Sequence, residues 1–128
     1  GLVNYPAKPR SSYAAVKEAL RPQKLSLRFS RIAWRPGEEL ELSAWLLNDS
    51  ALTLPALTAI VSVQIDEQIQ TLGQTAFETV PAWENRQSAS WRICVPQTRN
   101  GRLTLRITSS EYPELNAEYH LFVHENAV

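Results

Sequence analysis

The sequence predicts an all-β domain folded as an antiparallel β-sandwich of about seven strands, preceded by a short N-terminal helical lead-in. Three observations carry this prediction. From Gln23 onward, apolar and polar residues alternate with a period of two, as they do in strands that bury one face. Groups of Pro, Gly, Asn and Asp separate the alternating runs, as expected of turns. No helical periodicity lies between the runs, and without helices to form crossovers a parallel sheet is not expected.

Residues 1–22 form a separate lead-in or linker with a helical pattern. Ser11 or Ser12 can cap a helix that follows Pro9. One narrow apolar face recurs at helical spacing and comprises Tyr13, Val16 and Leu20. Pro22 ends the helix, because the residue before a proline is displaced from the helical region. A helix of about ten residues is not stable alone, so we expect it to pack against the following domain or a preceding one.

The predicted sandwich spans residues 23–128. Six alternating runs predict strands with one buried face, at residues 24–29, 39–46, 57–66, 88–95, 102–107 and 119–124. Two weaker strands, around residues 68–72 and 76–80, flank Gly73. The Arg-Pro-Gly-Glu sequence at residues 35–38 fits a type II turn in which glycine supplies the positive φ. Short strands joined in this way indicate an immunoglobulin-like antiparallel sandwich.

The composition argues against several classes of partner. The 128 residues include 13 Lys and Arg and 13 Asp and Glu, and a neutral chain is not expected to bind nucleic acid. A hydrophobic content of 44% without net charge is typical of a folded domain. No apolar run approaches the roughly 20 residues of a membrane span, so no membrane partner is expected. One Cys and four Gly give no disulfide framework, zinc pattern or phosphate-binding loop, so no cofactor or metal is predicted.

The titratable residues predict no catalytic set. Glycoside hydrolysis needs two carboxyl groups about 5 to 10 Å apart, one with a raised pKa. The densest acidic cluster comprises Glu38, Glu39 and Glu41, and its position beside a turn is typical of a solvated strand edge. His120 and His124 are four residues apart in a strand, roughly 13 Å, which is too far to share one metal ion. Cys94 has no neighbouring base and is expected to be structural.

Tryptophans give the best indication of binding. Trp34, Trp45 and Trp83 are candidates for sugar stacking or for a domain interface, because exposed indoles serve both purposes. Trp91 shares the apolar phase of its run and is expected in the core. The alternative is that Trp34 and Trp45 cover the second side of a sheet or pack against the lead-in helix.

Two stretches are specific enough to compare with a known family. The first covers residues 8–22 (KPRSSYAAVKEALRP), and the second runs from residue 34 through the Pro-Gly-Glu turn to the Asn-Asp-Ser turn at residues 48–50. Shorter matches fall at residues 101–105 and 118–122. Together they resemble glycoside hydrolase family 2, the β-mannosidase and β-galactosidase group, in which such a helix closes the catalytic barrel and leads into a sandwich.

The resemblance implies a C-terminal, non-catalytic immunoglobulin-like domain whose partner is the preceding catalytic barrel of the same chain. The catalytic glutamates of that family lie on the barrel, so none is carried onto this sequence. The chain has no methionine and starts at Gly1, which leads us to expect a piece of a larger β-glycoside hydrolase. The alternatives are a carbohydrate-binding module that takes an oligosaccharide on exposed tryptophans, or an unrelated immunoglobulin-like interaction domain. The sugar and the compartment stay open.

Overall fold

The structure, a computed structural model, describes residues 22–124. This part of the chain forms eight β-strands and one turn of 3-10 helix at Pro113–Leu115. The strands are β1 (Gln23–Arg28), β2 (Ala33–Trp34), β3 (Glu39–Asn48), β4 (Leu57–Ile65), β5 (Gln68–Phe77), β6 (Asn85–Cys94), β7 (Arg102–Thr108) and β8 (Ala117–Val123). The predicted helical lead-in lies outside the described residues, and the boundary between lead-in and sandwich stays a prediction. Within residues 22–124 no helix is long and apolar enough to cross a membrane.

The strands form two sheets, which confirms the predicted all-β architecture with two layers. One sheet has the order β1-β3-β6 and the other has the order β2-β8-β7-β4-β5. Neighbouring strands pair antiparallel except for β2, which pairs parallel to β8 over two residues. This two-residue pair is the exception to the expected antiparallel pairing among the described residues. Here nearly the whole domain, not a helix, connects the two parallel strands.

The core lies between the sheets and follows the predicted alternation. The inward residues of β3 and β7 have at most 1% of their surface exposed, and they are Leu40, Leu42, Ala44, Leu46, Leu103, Leu105 and Ile107. Their neighbours on the same strands are partly or fully exposed. Burial of these apolar side chains is the main source of stability in a sandwich of this size.

The two weak strands predicted around Gly73 are one strand, β5. Its register with β4 shifts next to the glycine, since Val61 lies opposite Gly73 and Ser62 lies opposite Thr71, which leaves Leu72 as a bulge. A Cβ at Gly73 would lie 2.6 Å from Nε1 of Trp91. Glycine is therefore required by a bulge and by the close approach of an indole, and it does not end the strand.

The turn at residues 35–38 is confirmed. Gly37 has φ of +91°, and the Glu38 N–H donates to the Arg35 carbonyl oxygen at 3.2 Å. The Glu38 carboxylate accepts a 2.8 Å hydrogen bond from the Arg35 N–H. This bond and the nearby Arg31 guanidinium hold the pKa of Glu38 below its usual value. The acidic side chain thus stabilises the turn that leads into β3.

Candidate functional site

A buried amide, Asn48, organises one end of the sandwich. Asn48 is the last residue of β3 and has 0% of its surface exposed. Its Nδ2 donates to the carbonyl oxygens of Leu52 at 2.7 Å, Val80 at 3.2 Å and Pro81 at 3.1 Å. Its Oδ1 accepts hydrogen bonds from Ser50 Oγ at 2.7 Å and Gln23 Nε2 at 3.5 Å. One side chain therefore joins β1, β3 and two loops, and we call residues 22–23, 48–54 and 80–84 the Asn48 end.

Main-chain hydrogen bonds fix the same loops. The donor and acceptor pairs are Asp49 N and Pro22 O at 2.7 Å, Asn48 N and Glu84 O at 3.1 Å, and Trp83 N and Ser50 O at 3.1 Å. Leu54 and Val80 also exchange two hydrogen bonds, at 2.9 and 3.0 Å. The chain is thereby held in a fixed position at residue 22, where the described part begins.

Trp83 projects from this end with a strained backbone. Its side chain is 67% exposed, and its φ is +67°, in the left-handed region. The Glu84 N–H donates to the Pro81 carbonyl oxygen at 3.3 Å, so Trp83 holds the third position of a turn that usually takes glycine. Such a conformation costs roughly 1 to 3 kcal/mol for a bulky residue. Leu52, 42% exposed, lies on the adjoining loop.

Trp34 is buried in β2, with only 2% of its surface exposed. Its Nε1 donates to the Arg31 carbonyl oxygen at 2.9 Å, and the Arg31 guanidinium lies 4.0 Å from the ring centroid. The same guanidinium pairs with Glu38 at 3.1 Å. A ring enclosed in this way offers no face to a sugar.

Trp45 lies on the outer face of the three-stranded sheet and is partly buried. Its Nε1 donates to Ser43 Oγ at 3.0 Å, and the Arg28 guanidinium lies 3.9 Å from its ring centroid. The cation covers one side of the ring. The three candidate tryptophans therefore occupy different environments, and Trp83 is the one whose ring is open to solvent.

The fourth indole, Trp91, is partly buried and packs against the core, where the alternation places it. The strand that carries it, β6, is one of the two edge strands of the three-stranded sheet.

The acidic cluster on β3 faces solvent, as its phase predicts. Glu39 and Glu41 lie 4.0 and 3.9 Å from Arg92 on β6, and all three side chains are largely exposed. The third member, Glu38, has a lowered pKa, which is the opposite of what a general acid requires. The cluster is thus a set of surface ion pairs that includes no positioned acid.

The two histidines belong to surface contacts. His120 lies 3.3 Å from a carboxylate oxygen of Glu118 and 3.3 Å from Thr104 Oγ1. His124 stacks on Phe122 with ring centroids 6.3 Å apart. Among residues 22–124, no three His, Cys, Asp or Glu side chains are grouped so that they could hold a metal ion.

Cys94 is exposed at the end of β6, opposite Glu39. A structural cysteine would usually be buried, so the structure does not give the thiol the packing role expected of it.

A shallow depression lies beside the 35–38 turn. Its volume is about 130 Å³, and Pro36, Gln97, Thr98 and Val123 line it. Pockets that enclose small-molecule ligands usually measure about 300 to 1,000 Å³. The depression is too small to enclose a sugar ring together with its neighbours.

Comparison with known proteins establishes the fold. No protein-family model and no curated protein matches the sequence. Among solved structures, a CARDB domain from Pyrococcus furiosus, in complex with di-metal ions, superimposes with a TM-score of 0.59 at 10% identity, over 80% of this chain and 87% of that one. A superoxide reductase (neelaredoxin) from Ignicoccus hospitalis gives 0.52 at 10% identity, over 79% and 80%.

A β-glucosidase from Listeria innocua, in complex with glucose, gives a TM-score of 0.52 at 12% identity, over 83% of this chain and 17% of that one. The chain thus spans about a sixth of the β-glucosidase. It is a β-sandwich. At these identities the likeness concerns the fold alone.

Three features of the Asn48 end have no signal in the sequence that identifies them. The Asn-Asp-Ser sequence at residues 48–50 was recognisable as a turn, but the carbonyl oxygens that Asn48 binds in the 80–84 loop lie 32 and 33 residues away. Leu52 stands in no alternating pattern, so nothing in the sequence singles it out. The left-handed conformation of Trp83 likewise has no signal, because glycine or asparagine would be the usual residue there.

Proposed function

We propose that this chain is a non-catalytic accessory β-sandwich domain of a glycoside hydrolase of the family 2 type, which supports a catalytic barrel that precedes it. The observation that carries the proposal is the fixed position of Pro22, whose carbonyl oxygen accepts a 2.7 Å hydrogen bond from the Asp49 N–H. The bond fixes the point at which the chain enters the sandwich, as a domain packed against a preceding one requires.

The chemistry of the surface supports the same proposal. The carboxylates of the β3 cluster are engaged in exposed ion pairs or in a turn. The depression beside Pro36 is small. The β-glucosidase from Listeria innocua includes a sandwich of similar shape as about a sixth of its length, which is how an accessory domain would be carried. The sequence of residues 8–22 also supports the proposal, because it resembles the segment that closes the catalytic barrel in glycoside hydrolase family 2.

The test uses both the chain and its parent enzyme. The purified chain should not hydrolyse aryl β-mannosides, β-galactosides or β-glucosides. Removal of residues 22–124 from the parent should lower its melting temperature or its solubility. Hydrolysis by the purified chain, or a parent that keeps full stability and activity without these residues, would contradict the proposal.

A second candidate function is carbohydrate binding, which the exposure and strained backbone of Trp83 favour. Titration with mannan, galactan and xylan oligosaccharides, followed by amide and indole NMR shifts, tests it. Binding should shift the Trp83 indole resonance and should be lost in Trp83→Ala. The absence of any shift at millimolar sugar would exclude this function.

A further inference from the structure

We propose that the open edge of β5 binds an extended segment of a partner protein, uncharged in its middle and basic at both ends, as an added β-strand. β5 is an edge strand of the five-stranded sheet, with β4 as its neighbour. Within residues 22–124, its main chain makes no hydrogen bond outside the ladder with β4. The N–H and C=O groups of the other edge can therefore pair with a new strand. The inference goes beyond the accessory role and does not depend on it.

The composition of β5 distinguishes it from the other edge strands. Charged side chains and short length usually prevent an edge from pairing with another chain. β1 carries Lys24 and Arg28, and β2 has two residues. β6 carries Arg86 and Arg92. β5 has ten residues without a charge or a proline, and the bulge at Leu72 leaves the ladder intact on either side. β5 is thus the edge best suited to accept a strand.

The first half of β5 is uncovered. All four residues of Gln68–Thr71 are exposed, and Ile69 has 65% of its surface exposed. The second half approaches β6, where Thr75 Oγ1 donates a 2.7 Å hydrogen bond to Ser88 Oγ, and it leads toward the 80–84 loop. The uncovered half therefore lies away from the Asn48 end, where the chain enters the sandwich. An exposed isoleucine there offers an apolar contact to alternate side chains of an added strand.

The charges beside β5 favour a basic partner. Glu67 precedes the strand and Glu78 follows it, both are exposed, and in the described part of the chain neither has an ion-pair partner. If β5 paired antiparallel with β5 of a second copy over its full length, each Glu67 would lie opposite a Glu78. Like charges directly opposite each other destabilise such a pair. A segment with Lys or Arg at both ends would place opposite charges at these positions instead.

NMR titration of the 1–128 chain with two synthetic peptides tests the inference. Both peptides alternate threonine and valine, and one has lysine at each end whereas the other has glutamate. The lysine peptide should shift the amides of β5. The glutamate peptide should bind at least ~5-fold more weakly, because each of its ends adds a like-charge pair. The absence of a β5 shift at millimolar lysine peptide, or equal binding of the two peptides, would overturn the inference.

A charge-reversal variant makes the test sharper. Glu67→Lys/Glu78→Lys should bind the glutamate peptide at least ~5-fold more tightly than the lysine peptide. The matched control, Glu41→Lys/Asp49→Lys, makes the same change of charge at exposed positions away from β5, and it should keep the preference for lysine. The amide shifts of β3, β4 and β7 report in the same spectra that each variant stays folded. A preference that does not reverse, or that reverses in the control as well, would contradict the proposal.

Hydrogen–deuterium exchange of the free chain tests whether the edge is open. Those amides of Gln68–Thr71 that do not bond to β4 should exchange within about 10-fold of an unstructured peptide. Strong protection would overturn the inference, because another segment would then cover the edge. Sedimentation gives the oligomeric state, and a dimer whose contact includes β5 would identify a second copy as the occupant and refute the assignment to a basic partner.

Discussion

Replacement of Asn48 by alanine should destabilise the sandwich more than any other single polar substitution at the Asn48 end. The change removes the two N–H donors of Nδ2, which three carbonyl oxygens share, and the acceptor for Ser50 Oγ, so three hydrogen bonds are lost in effect. Each such bond contributes about 1 kcal/mol net. The carbonyl oxygens of Val80 and Pro81 keep a second donor, from Leu54 N–H and Glu84 N–H. The full penalty of unsatisfied buried acceptors is therefore not incurred there.

The expected loss is about 3 kcal/mol in the free energy of unfolding. For a domain of this size, that corresponds to a fall in melting temperature of roughly 10 to 15 °C. Urea denaturation followed by tryptophan fluorescence gives the free energy, and an unchanged slope against urea shows that the native fold is retained.

Asn100→Ala is the matched control, because its side chain accepts one exposed hydrogen bond, from the Arg102 N–H at 2.9 Å. It should lower the free energy of unfolding by about 1 kcal/mol or less. A loss below about 1 kcal/mol in Asn48→Ala would refute the reasoning, because the loops would then be held without the amide.

Three further substitutions probe separate contacts. Gly73→Ala places a Cβ 2.6 Å from Trp91 Nε1, so the indole must move and urea denaturation should show a loss of about 1 to 3 kcal/mol; a neutral result would contradict the close approach. Tyr119→Phe removes the hydroxyl that accepts the Leu27 N–H at 3.2 Å, and thermal unfolding should report a loss of about 1 kcal/mol. Glu38 has a lowered pKa because it accepts a hydrogen bond from a backbone N–H of its own turn. Its contribution is therefore present above the unfolded-state pKa and lost as pH falls through the folded-state pKa, and Glu38→Gln should flatten the acid side of the stability–pH curve; an unchanged curve would contradict this.

The elements predicted well are those with long local alternation. In β3, β4 and β7 the inward residues are apolar, except for the buried Asn48 at the end of β3, and the outward residues are polar or at least partly exposed. Burial of one face is a local property of the sequence, so the phase of these strands can be read without knowledge of their partners.

The elements predicted poorly depend on distant partners. β2 has two residues and no periodicity, and it exists because β8 lies beside it. The same pairing buries Trp34, which the sequence presents as a candidate for sugar stacking. Gly73 has the pattern of a strand break, and only the indole of Trp91 explains why glycine continues the strand. Contacts between remote residues decide these cases.

The candidate site was predictable in part. Trp83 could be named as an exposed aromatic residue because it lies in a loop rich in turn-forming residues. The buried amide that fixes that loop could not be foreseen, because its acceptors come from another part of the chain. Sequence patterns therefore locate the surface residue better than the scaffold that presents it.

The parallel pairing of β2 with β8 has a mechanical consequence. The N–H groups of Phe122 and His124 donate to the carbonyl oxygens of Ile32 and Trp34, at 2.8 and 2.9 Å. When residues 22 and 124 are pulled apart, parallel strands slide along each other, and these bonds are strained together in shear instead of opening one after another. Under tension, the rate of unfolding sets the lifetime of the fold. We therefore expect this two-residue strand near the start of the sandwich to increase the resistance of the domain to forced unfolding.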